Sequence, residues 1–317
     1  MTNLLDFDEA RRRAMFRELE SDPNIVIIGG DPSRRASPDY RIRYGDRMLD
    51  PPLSEFAYSS VAVGMAMAGL RPFVSVHTSS FIFYGWPALV LEAANIRYAS
   101  GGKATAPVVF SLIAGTRRGG GPQHQHTPHA MLQNIPGLRI LAPGTPSELD
   151  SAIHDALTGS DPTVIVEHTL LEGVNEIAEY PVPLVGAVTI LDGTDIAIVT
   201  YSYLVKFATE CAQELANEGI SVGVISVPIL SPSPVEDIYN KIKRFKSVLF
   251  LDESIAPGSL ASYWMAYVAE RAPNVQSSLL CSKSVPGPAA PHLCDEVLPS
   301  KYEITSRVRA LQRKTDE

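Results

Sequence analysis

The sequence has few cysteines, no long apolar run and no excess of positive charge. Only three cysteines, Cys211, Cys281 and Cys294, occur among 317 residues. They are odd in number and lack the spacing of a metal site, so we expect neither a disulfide scaffold nor a cysteine metal centre, but a reduced, cytoplasmic setting. No apolar run approaches the roughly 20 residues that span a bilayer. No secretory leader is recognisable, so we expect neither export nor membrane insertion.

The charge balance argues against a nucleic-acid partner. The formal net charge is −8 and the isoelectric point is about 5.4, whereas nucleic-acid-binding proteins carry a basic patch. The run Arg11-Arg12-Arg13 is mixed with acidic residues and indicates a solvated helix face. Hydrophobic residues make up 45% and charged residues 20% of the chain, values typical of globular proteins. The length suffices for two ordinary domains.

Short β-rich runs alternate with helical stretches in the first half of the chain. Predicted strands cover residues 25–28, 73–77, 108–113, 139–141 and 163–166, and predicted helices cover 54–68, 87–98 and 146–157. This alternation predicts a doubly wound, mainly parallel sheet with helices on both faces.

A second alternating unit follows a proline-containing linker at 180–184. Its predicted strands are 195–200, 221–226 and 247–251, and its predicted helices are 204–217, 234–243 and 259–270. The sequence therefore predicts an α/β protein with two doubly wound domains, at residues 1–180 and 181–317. Since ligands of open α/β sheets gather at the carboxyl ends of strands, Asp31, Glu55, His77 and the loop after residue 113 are expected on one rim.

Residues 49–72 place one acidic side chain at the start of a helix rich in alanine, serine and glycine. Ser54 is a good N-cap, and Glu55 then lies in the first turn, where the helix dipole favours negative charge. The small side chains allow another backbone to approach closely. We expect the Glu55 carboxylate to be buried beside this helix, which requires a polar partner. Taken alone, the Ser-Glu pair favours a simple helix cap.

Two further segments contain candidate site residues. In residues 76–84, Phe81 is either a stacking ring or a core residue at a strand end, and His77 is either a ligand contact or a hydrogen-bonded core histidine. Residues 114–126 contain three successive glycines followed by proline, which indicates a loop of special backbone geometry. His124 lies in that loop, and an imidazole can transfer protons near neutral pH.

The same loop raises questions of metal and substrate binding. His126 and His129 complete an H-x-H-x-x-H spacing with His124, but no carboxylate or cysteine accompanies them, so we predict no metal there. Arg117 either neutralises an anionic substrate or lies at a solvated loop tip.

These strings together resemble the pyrimidine-binding domain of thiamine-diphosphate enzymes, most closely that of the beta subunit of 2-oxo acid dehydrogenases. The resemblance extends from about residue 6 to the C-terminus, and residues 193–200 resemble the start of the C-terminal transketolase-type domain. It implies that Glu55 bonds a ring nitrogen of the cofactor's aminopyrimidine, that Phe81 stacks on that ring, and that His124 handles substrate protons or polarises the reacting carbonyl.

Some positions depart from the family pattern. His77 and Tyr84 replace the residues usual beside the cofactor, and we expect them near it; His77, His126 and Arg117 are candidate substrate contacts. The Gly-Pro-Gln-His-Gln string around His124 looks more like transketolases and deoxyxylulose-phosphate synthases, whereas the Pro-Leu-Ser-Glu turn looks like the dehydrogenases. The resemblance thus leaves two donor classes open, a 2-oxo acid such as pyruvate and a ketose phosphate.

The family anchors the cofactor's diphosphate through a metal at a Gly-Asp-Gly motif followed by an asparagine, and this chain has no such motif. The resemblance therefore implies that thiamine diphosphate and Mg²⁺ are held mainly by an alpha-type partner chain, in an α2β2 heterotetramer. The small-residue helix after Glu55 is a candidate subunit seam, or equally an element of the core.

The implied function is that of a beta-type subunit of a two-chain enzyme. It would cleave a 2-oxo acid or ketose donor and pass the acyl or ketol unit to a lipoyl group or an acyl-carrier protein. The alternatives are transketolase-type two-carbon transfer between sugar phosphates, and a non-catalytic structural subunit that only supports its partner.

Overall fold

The computed structural model describes residues 4–29, 38–115, 120–177 and 183–316. The strands are β1 (Leu4–Asp6), β2 (Ile25–Gly29), β3 (Met48–Leu49), β4 (Arg71–Val76), β5 (Val109–Ala114), β6 (Arg139–Leu141), β7 (Thr163–His168), β8 (Asn175–Ile177), β9 (Val188–Leu191), β10 (Ile196–Thr200), β11 (Val222–Ser226), β12 (Ile229–Ser231), β13 (Ser247–Ile255) and β14 (Gln276–Ser282).

Helices lie between most of these strands. They are α1 (Phe7–Ser21), α2 (Pro38–Tyr44), α3 (Glu55–Met67), α4 (Ile82–Trp86), α5 (Ala94–Ala99), α6 (His129–Gln133), α7 (Pro146–Thr158), α8 (Leu204–Ala216), α9 (Val235–Ile242), α10 (Leu260–Arg271), α11 (Pro291–Cys294) and α12 (Lys301–Asp316). Single 3-10 turns occupy Gly45–Arg47, Ser79–Phe81, Pro122–His124 and Thr169–Leu171.

The first sheet confirms the predicted doubly wound α/β architecture. Its strand order is β12-β6-β7-β5-β4-β2-β3, and every neighbouring pair is parallel except β12 with β6. Every residue of β5 and β7 is buried, as expected for central strands covered by helices on both faces.

The second sheet has the order β14-β13-β10-β11-β9, with only β9 antiparallel to its neighbour. The predicted strands at 195–200, 221–226 and 247–251 and the three helices between them are all present, with shifted ends. A separate antiparallel pair joins β1 to β8. The proposed linker at 180–184 falls partly on residues 178–182, which lie outside the described residues.

Strand β12 was not predicted. It links the two units of the chain, of which the first precedes residue 181 and the second follows residue 180. It follows β11 in the chain but pairs with β6 at the edge of the first sheet, and the Ser231 hydroxyl donates to the Leu138 carbonyl oxygen over 3.1 Å. A run of three residues between Pro228 and Pro232 is too short to show a strand period. The domain boundary at 180 stays a prediction.

The basic run near the N-terminus departs from the predicted solvated face. The side chain of Arg11 is only 15% exposed, and its guanidinium donates to the buried Glu167 carboxylate over 2.6 Å. Burial opposes the charge of Arg11, but the ion pairs with Glu167 and Asp8 together outweigh it and raise the pKa of the guanidinium. The expectation was therefore wrong for Arg11, since composition alone does not show which arginine reaches a carboxylate distant in the chain.

The helix predicted at 87–98 is part of a longer helical run. A π-helical segment, Pro87–Ala93, joins α4 to α5 without a break. Pro87 has no backbone N–H and cannot make the usual hydrogen bond one turn back, which gives a physical reason for the wider turn at this point.

The three cysteines form no disulfide with one another. Burial raises the pKa of the Cys211 and Cys281 thiols to about 11, so both are poor nucleophiles at neutral pH. Within the described ranges, no helix combines the length and the apolar character needed to cross a membrane.

Candidate active site

The first sheet changes winding direction at β2, and the candidate residues lie at that point. After β2 the chain adds β3 on one side and then β4 on the other, and in open α/β sheets ligands bind at the carboxyl ends of the strands where this happens. Glu55 begins α3 after β3, His77 follows β4, and the histidine loop, defined as residues 120–129, follows β5. Asp31 and Arg117 lie outside the described residues.

Glu55 is the first residue of α3, and Ser54 is its N-cap. The Ala57 amide donates to the Ser54 hydroxyl oxygen over 3.4 Å. The carboxylate is half-buried rather than buried as predicted, because the first turn of α3 stands at the rim. Its electrostatic partner is Tyr58, one turn later, because the charge of Glu55 helps to raise the pKa of that phenol.

Tyr58 is 2% exposed, so the two residues interact at the edge of the core. Burial, and then the negative charge of Glu55, raise the pKa of Tyr58 well above its usual value. The phenol therefore stays protonated at neutral pH and is able to donate to a carboxylate.

Phe81 and His124 form the second part of the site. The two rings meet edge to face with centroids 5.4 Å apart, and both side chains are half-buried, which leaves part of each available to a ligand. The His124 Nδ1 atom lies 3.1 Å from the Gly120 carbonyl oxygen. If Nδ1 carries the proton and donates to that oxygen, Nε2 is left as the acceptor.

Close packing joins the aromatic segment, defined as residues 81–86, to the first turn of α3. Gly85, one turn after Phe81, stands so near α3 that a Cβ there would lie 2.6 Å from the Ser59 hydroxyl and 3.5 Å from the Glu55 carbonyl oxygen. The absence of a side chain at Gly85 thus lets α4 approach α3, which places Phe81 on the same rim as Glu55.

His126 lies beside the same aromatic segment. Its ring meets Phe83 edge to face with centroids 5.3 Å apart, and its carbonyl oxygen accepts a hydrogen bond from the Ser79 hydroxyl over 2.5 Å. The side chain is exposed, and its contact with a substrate stays a prediction.

His77 and Tyr84 are both exposed. The alternative of a core histidine is therefore wrong for His77, because the residue stands past the end of β4 and no longer in the sheet. The Tyr84 ring lies 6.3 Å from that of Phe81. Their contacts with cofactor or substrate stay predictions.

His129 does not point to the same place as His124 and His126. It is fully buried, its ring packs edge to face on Tyr201 at 5.2 Å, and burial lowers its pKa to about 3. The H-x-H-x-x-H spacing therefore does not converge. Among the described residues, no three histidine, cysteine or acidic side chains are grouped so that they could hold a metal ion.

Comparison with known proteins places the chain in a family. The family described as "Transketolase, pyrimidine binding domain" matches residues 4–172, and "Transketolase, C-terminal domain" matches residues 186–304. The chain belongs to the transketolase-like beta subunits of 2-oxo acid dehydrogenases. It is thus a subunit of a thiamine-diphosphate-dependent enzyme.

Relatives of this beta-subunit family are similar over nearly the full chain. The acetoin:2,6-dichlorophenolindophenol oxidoreductase beta subunit of Cupriavidus necator is 30% identical over 98% of both chains. The pyruvate dehydrogenase E1 component beta subunit of Porphyra purpurea is 31% identical over 98% of this chain and 97% of its own. The 2-oxoisovalerate dehydrogenase beta subunit of Bacillus subtilis is 30% identical over 84% and 85%.

A solved structure agrees with the fold of this beta-type subunit. A split-gene transketolase, described as an inactive beta4 tetramer, superposes with a TM-score of 0.81 over 98% of each chain, at 19% identity. At that identity the likeness concerns the fold alone.

Sequence reasoning missed two residues that touch the predicted site. Tyr58 interacts with the charge of Glu55, and its position one turn later, on the same helix face, was a signal that could have been used. Gln125 is 93% buried, and its Nε2 donates to the Pro288 carbonyl oxygen over 2.9 Å. That contact joins residues 163 positions apart, and no local pattern indicates it.

Proposed function

We propose that this subunit supplies the aminopyrimidine-binding half of a thiamine-diphosphate site, in a two-chain enzyme that cleaves a small 2-oxo acid or related ketone. The observation that carries the proposal is the arrangement at the rim. A half-buried carboxylate, Glu55, lies one turn before the buried Tyr58 and helps to raise the pKa of its phenol, and a half-buried ring, Phe81, stands beside His124.

The donor set fits that half of the cofactor. A carboxylate can hold a proton shared with a weakly basic ring nitrogen, and an aromatic ring can cover the face of a planar heterocycle. When bound, thiamine diphosphate supplies the carbon nucleophile and electron sink that cleavage beside a carbonyl requires. Tyr58 orients the Glu55 carboxylate, and His124 moves a proton at the substrate through the nitrogen that does not face Gly120.

Mg²⁺ and the diphosphate are assigned to a partner chain. The absence of a Gly-Asp-Gly motif from the whole sequence supports this assignment. We infer an alpha-type partner that carries this motif, in an α2β2 assembly of cytoplasmic location, with the Glu55 site at the junction of the two chains.

The exposed face of α3 supports a partner at this place. Phe56, Val61 and Met67 are 57%, 54% and 52% exposed, and Gly64 lies among them with open space beside it. A large apolar patch on a soluble chain indicates an interaction site. Because this face begins one residue after Glu55, a chain docked on it reaches the candidate cofactor site.

The relatives favour one donor class. Their names specify acetoin, pyruvate and 2-oxoisovalerate, which are small ketones or 2-oxo acids without a phosphate group. We therefore propose a donor of this kind, in preference to a ketose phosphate, and a lipoyl group or acyl-carrier protein as the acceptor.

The test is capture of the partner followed by a donor screen. The tagged full-length chain is purified from its native cells, and the co-purifying chain, expected to contain the Gly-Asp-Gly motif, is identified by mass spectrometry. The complex is supplied with thiamine diphosphate, Mg²⁺ and 2,6-dichlorophenolindophenol, and reduction of the dye is followed with pyruvate, 2-oxoisovalerate and acetoin. A parallel coupled assay measures aldose formation from fructose 6-phosphate with ribose 5-phosphate as acceptor.

The outcomes separate the candidate functions. Dye reduction with at least one of the three donors supports the proposal. Turnover only with fructose 6-phosphate favours the transketolase-type function, and turnover that survives Glu55→Gln unchanged in the assembled complex favours a structural role for this chain.

A further inference from the structure

The second sheet has its own change of winding direction, at β10. Strand β11 lies on one side of β10 and β13 on the other, so the carboxyl end of β10 is where this sheet would bind a ligand. Tyr201 follows β10 directly, and Asp252 lies in β13. Both are fully buried.

The first unit packs against the carboxyl end of β10. The His129 ring, at the end of the histidine loop, meets the Tyr201 ring edge to face. Tyr201 is itself fixed, since its hydroxyl donates to Asp252 over 2.6 Å. The same carboxylate accepts from the amides of Ser254 over 2.7 Å and Ala261 over 2.9 Å. The second unit therefore offers a rigid surface to one end of the histidine loop.

A second contact holds the loop beside His124. Gln125, the next residue, is buried and donates through Nε2 to the Pro288 carbonyl oxygen over 2.9 Å. The preceding Gly287 packs directly against it, because a Cβ at Gly287 would lie 2.9 Å from the Gln125 Cβ. Any side chain at Gly287 therefore pushes on Gln125.

Successive side chains of the loop face opposite units. His124 and His126 lie on the aromatic segment at Phe81 and Phe83, whereas Gln125 between them faces Pro288 in the second unit. The backbone at His124 is thus held from both sides, and a shift of Gln125 is transmitted to His124 through a single peptide unit.

We propose that Gln125 is a positioning residue for His124, and that the second unit sets the place of the His124 ring in the active site through Pro288 and Tyr201. The inference rests on the proposed function of His124. It assigns the second unit a part in catalysis, although neither Pro288 nor Tyr201 lies on the rim of the first sheet.

The experiment is a mutant cycle in the assembled two-chain complex, with the 2-oxo acid that gives turnover and dichlorophenolindophenol as the oxidant. Gln125→Met keeps the length of the side chain but removes the donor to Pro288. Gly287→Ala leaves Gln125 intact and displaces it. Gly45→Ala is the matched control, because Gly45 is exposed and a Cβ there meets no atom within 4 Å. Each substitution is made with His124 present and with His124→Ala, and folding is checked by thermal melting.

We expect Gln125→Met and Gly287→Ala each to lower kcat about 10- to 100-fold with KM changed less than threefold, as for a misplaced catalytic group. We expect neither to lower kcat further when His124 is already alanine, because only a residue acting through His124 loses its effect there. Gly45→Ala should match the wild type in both backgrounds.

Three results would overturn the inference. The first is wild-type turnover in Gly287→Ala, which stands alone as a test if Gln125→Met does not fold. The second is that Gln125→Met and Gly287→Ala lower kcat by the same factor whether His124 is present or replaced by alanine. That result indicates a general structural role and leaves the proposed function intact. The third is near wild-type turnover in His124→Ala itself, which removes the proposed role of His124 and the inference together.

Discussion

Tyr58 lies one helical turn after Glu55, and the negative charge of Glu55 helps to raise the pKa of its phenol. The phenol is a buried donor, and the carboxylate stands half-exposed at the rim of the sheet. The core of the first unit therefore reaches the acidic group that the family resemblance assigns to the cofactor.

Removing this donor should weaken catalysis without unfolding the chain. A hydrogen bond to a charged group is worth about 1.5–3 kcal/mol, so we expect Tyr58→Phe to lower kcat of the assembled complex about 10- to 100-fold. Steady-state dye reduction measures this, and Tyr98→Phe is the matched control because Tyr98 is 95% exposed. Equal kcat values for the two variants would show that Tyr58 has no part in orienting Glu55.

The exposed face of α3 can be tested at Gly64. A Cβ there meets no atom within 4 Å, so Gly64→Glu should fold, with a melting temperature no lower than wild type, since glycine costs a helix interior about 1 kcal/mol. We expect the variant to lose capture of the partner chain, because a charge would be buried in the contact. Gly45→Glu, at another open glycine, should retain capture. If Gly64→Glu assembles normally, the partner docks elsewhere.

Glu253 should make the chain less stable as the pH rises. Burial raises the pKa of Glu253 to about 8 from its ordinary 4.5; Asp252 adds to the rise, while Ser202 and the amide of Tyr203 oppose it. The folded state therefore binds a proton that the unfolded state has lost. The stability that this proton contributes is complete below pH 4.5 and is lost progressively up to about pH 8, by at most about 1.4 kcal/mol per pH unit.

Glu253→Gln keeps the shape of the protonated acid and removes the titration. We expect urea unfolding curves at pH 5, 6, 7 and 8 to show a smaller loss of stability with rising pH in the variant than in the wild type. Parallel curves for the two proteins would mean that Glu253 is ionised in the folded state at neutral pH.

His129 should act in the opposite direction, at acid pH. Burial holds the pKa of His129 at about 3 in the folded chain, against an ordinary 6.5. Below pH 6.5 the unfolded state therefore binds a proton that the folded state does not bind. Stability is then lost as the pH falls from 6.5 towards 3, at up to about 1.4 kcal/mol per unit.

His129→Phe should flatten this acid loss. It should also raise stability near pH 7, because both ring nitrogens of His129 are buried with no hydrogen-bond partner in the part of the chain that the structure describes. Urea unfolding at pH 4.5, 5.5 and 6.5 measures the slope, and His292→Phe, at an exposed histidine, is the control. An unchanged slope in His129→Phe would place the acid sensitivity elsewhere, for example at His168, whose pKa burial also lowers to about 3.

The sequence was sufficient for the architecture because buried parallel strands are marked by compact apolar runs between turn signals. β5 and β7 are such runs. The strands β1, β3, β8, β9, β12 and β14 were not predicted. Strands such as β3 and β12 have only two or three residues, which show no period, and β12 joins the sheet of the other unit through contacts that no local pattern records.

At the site, the sequence indicated the residues on the rim and not those that hold them. Glu55, Phe81 and His124 stand in motifs, whereas Tyr58 and Gln125 act through side-chain contacts that depend on the folded chain. The burial expected for Glu55 was wrong because the first turn of α3 stands at the rim of the sheet, which the helix sequence alone does not show.

The central claim is that Glu55 activates the cofactor through its aminopyrimidine ring. The most direct measurement is the rate of hydrogen–deuterium exchange at the thiazolium carbon of thiamine diphosphate bound to the assembled complex, followed by proton NMR after rapid quenching. For Glu55→Gln we expect exchange at least about 100-fold slower than in the wild type, with the cofactor still bound. Exchange within threefold of the wild type, at equal cofactor occupancy, would contradict the account.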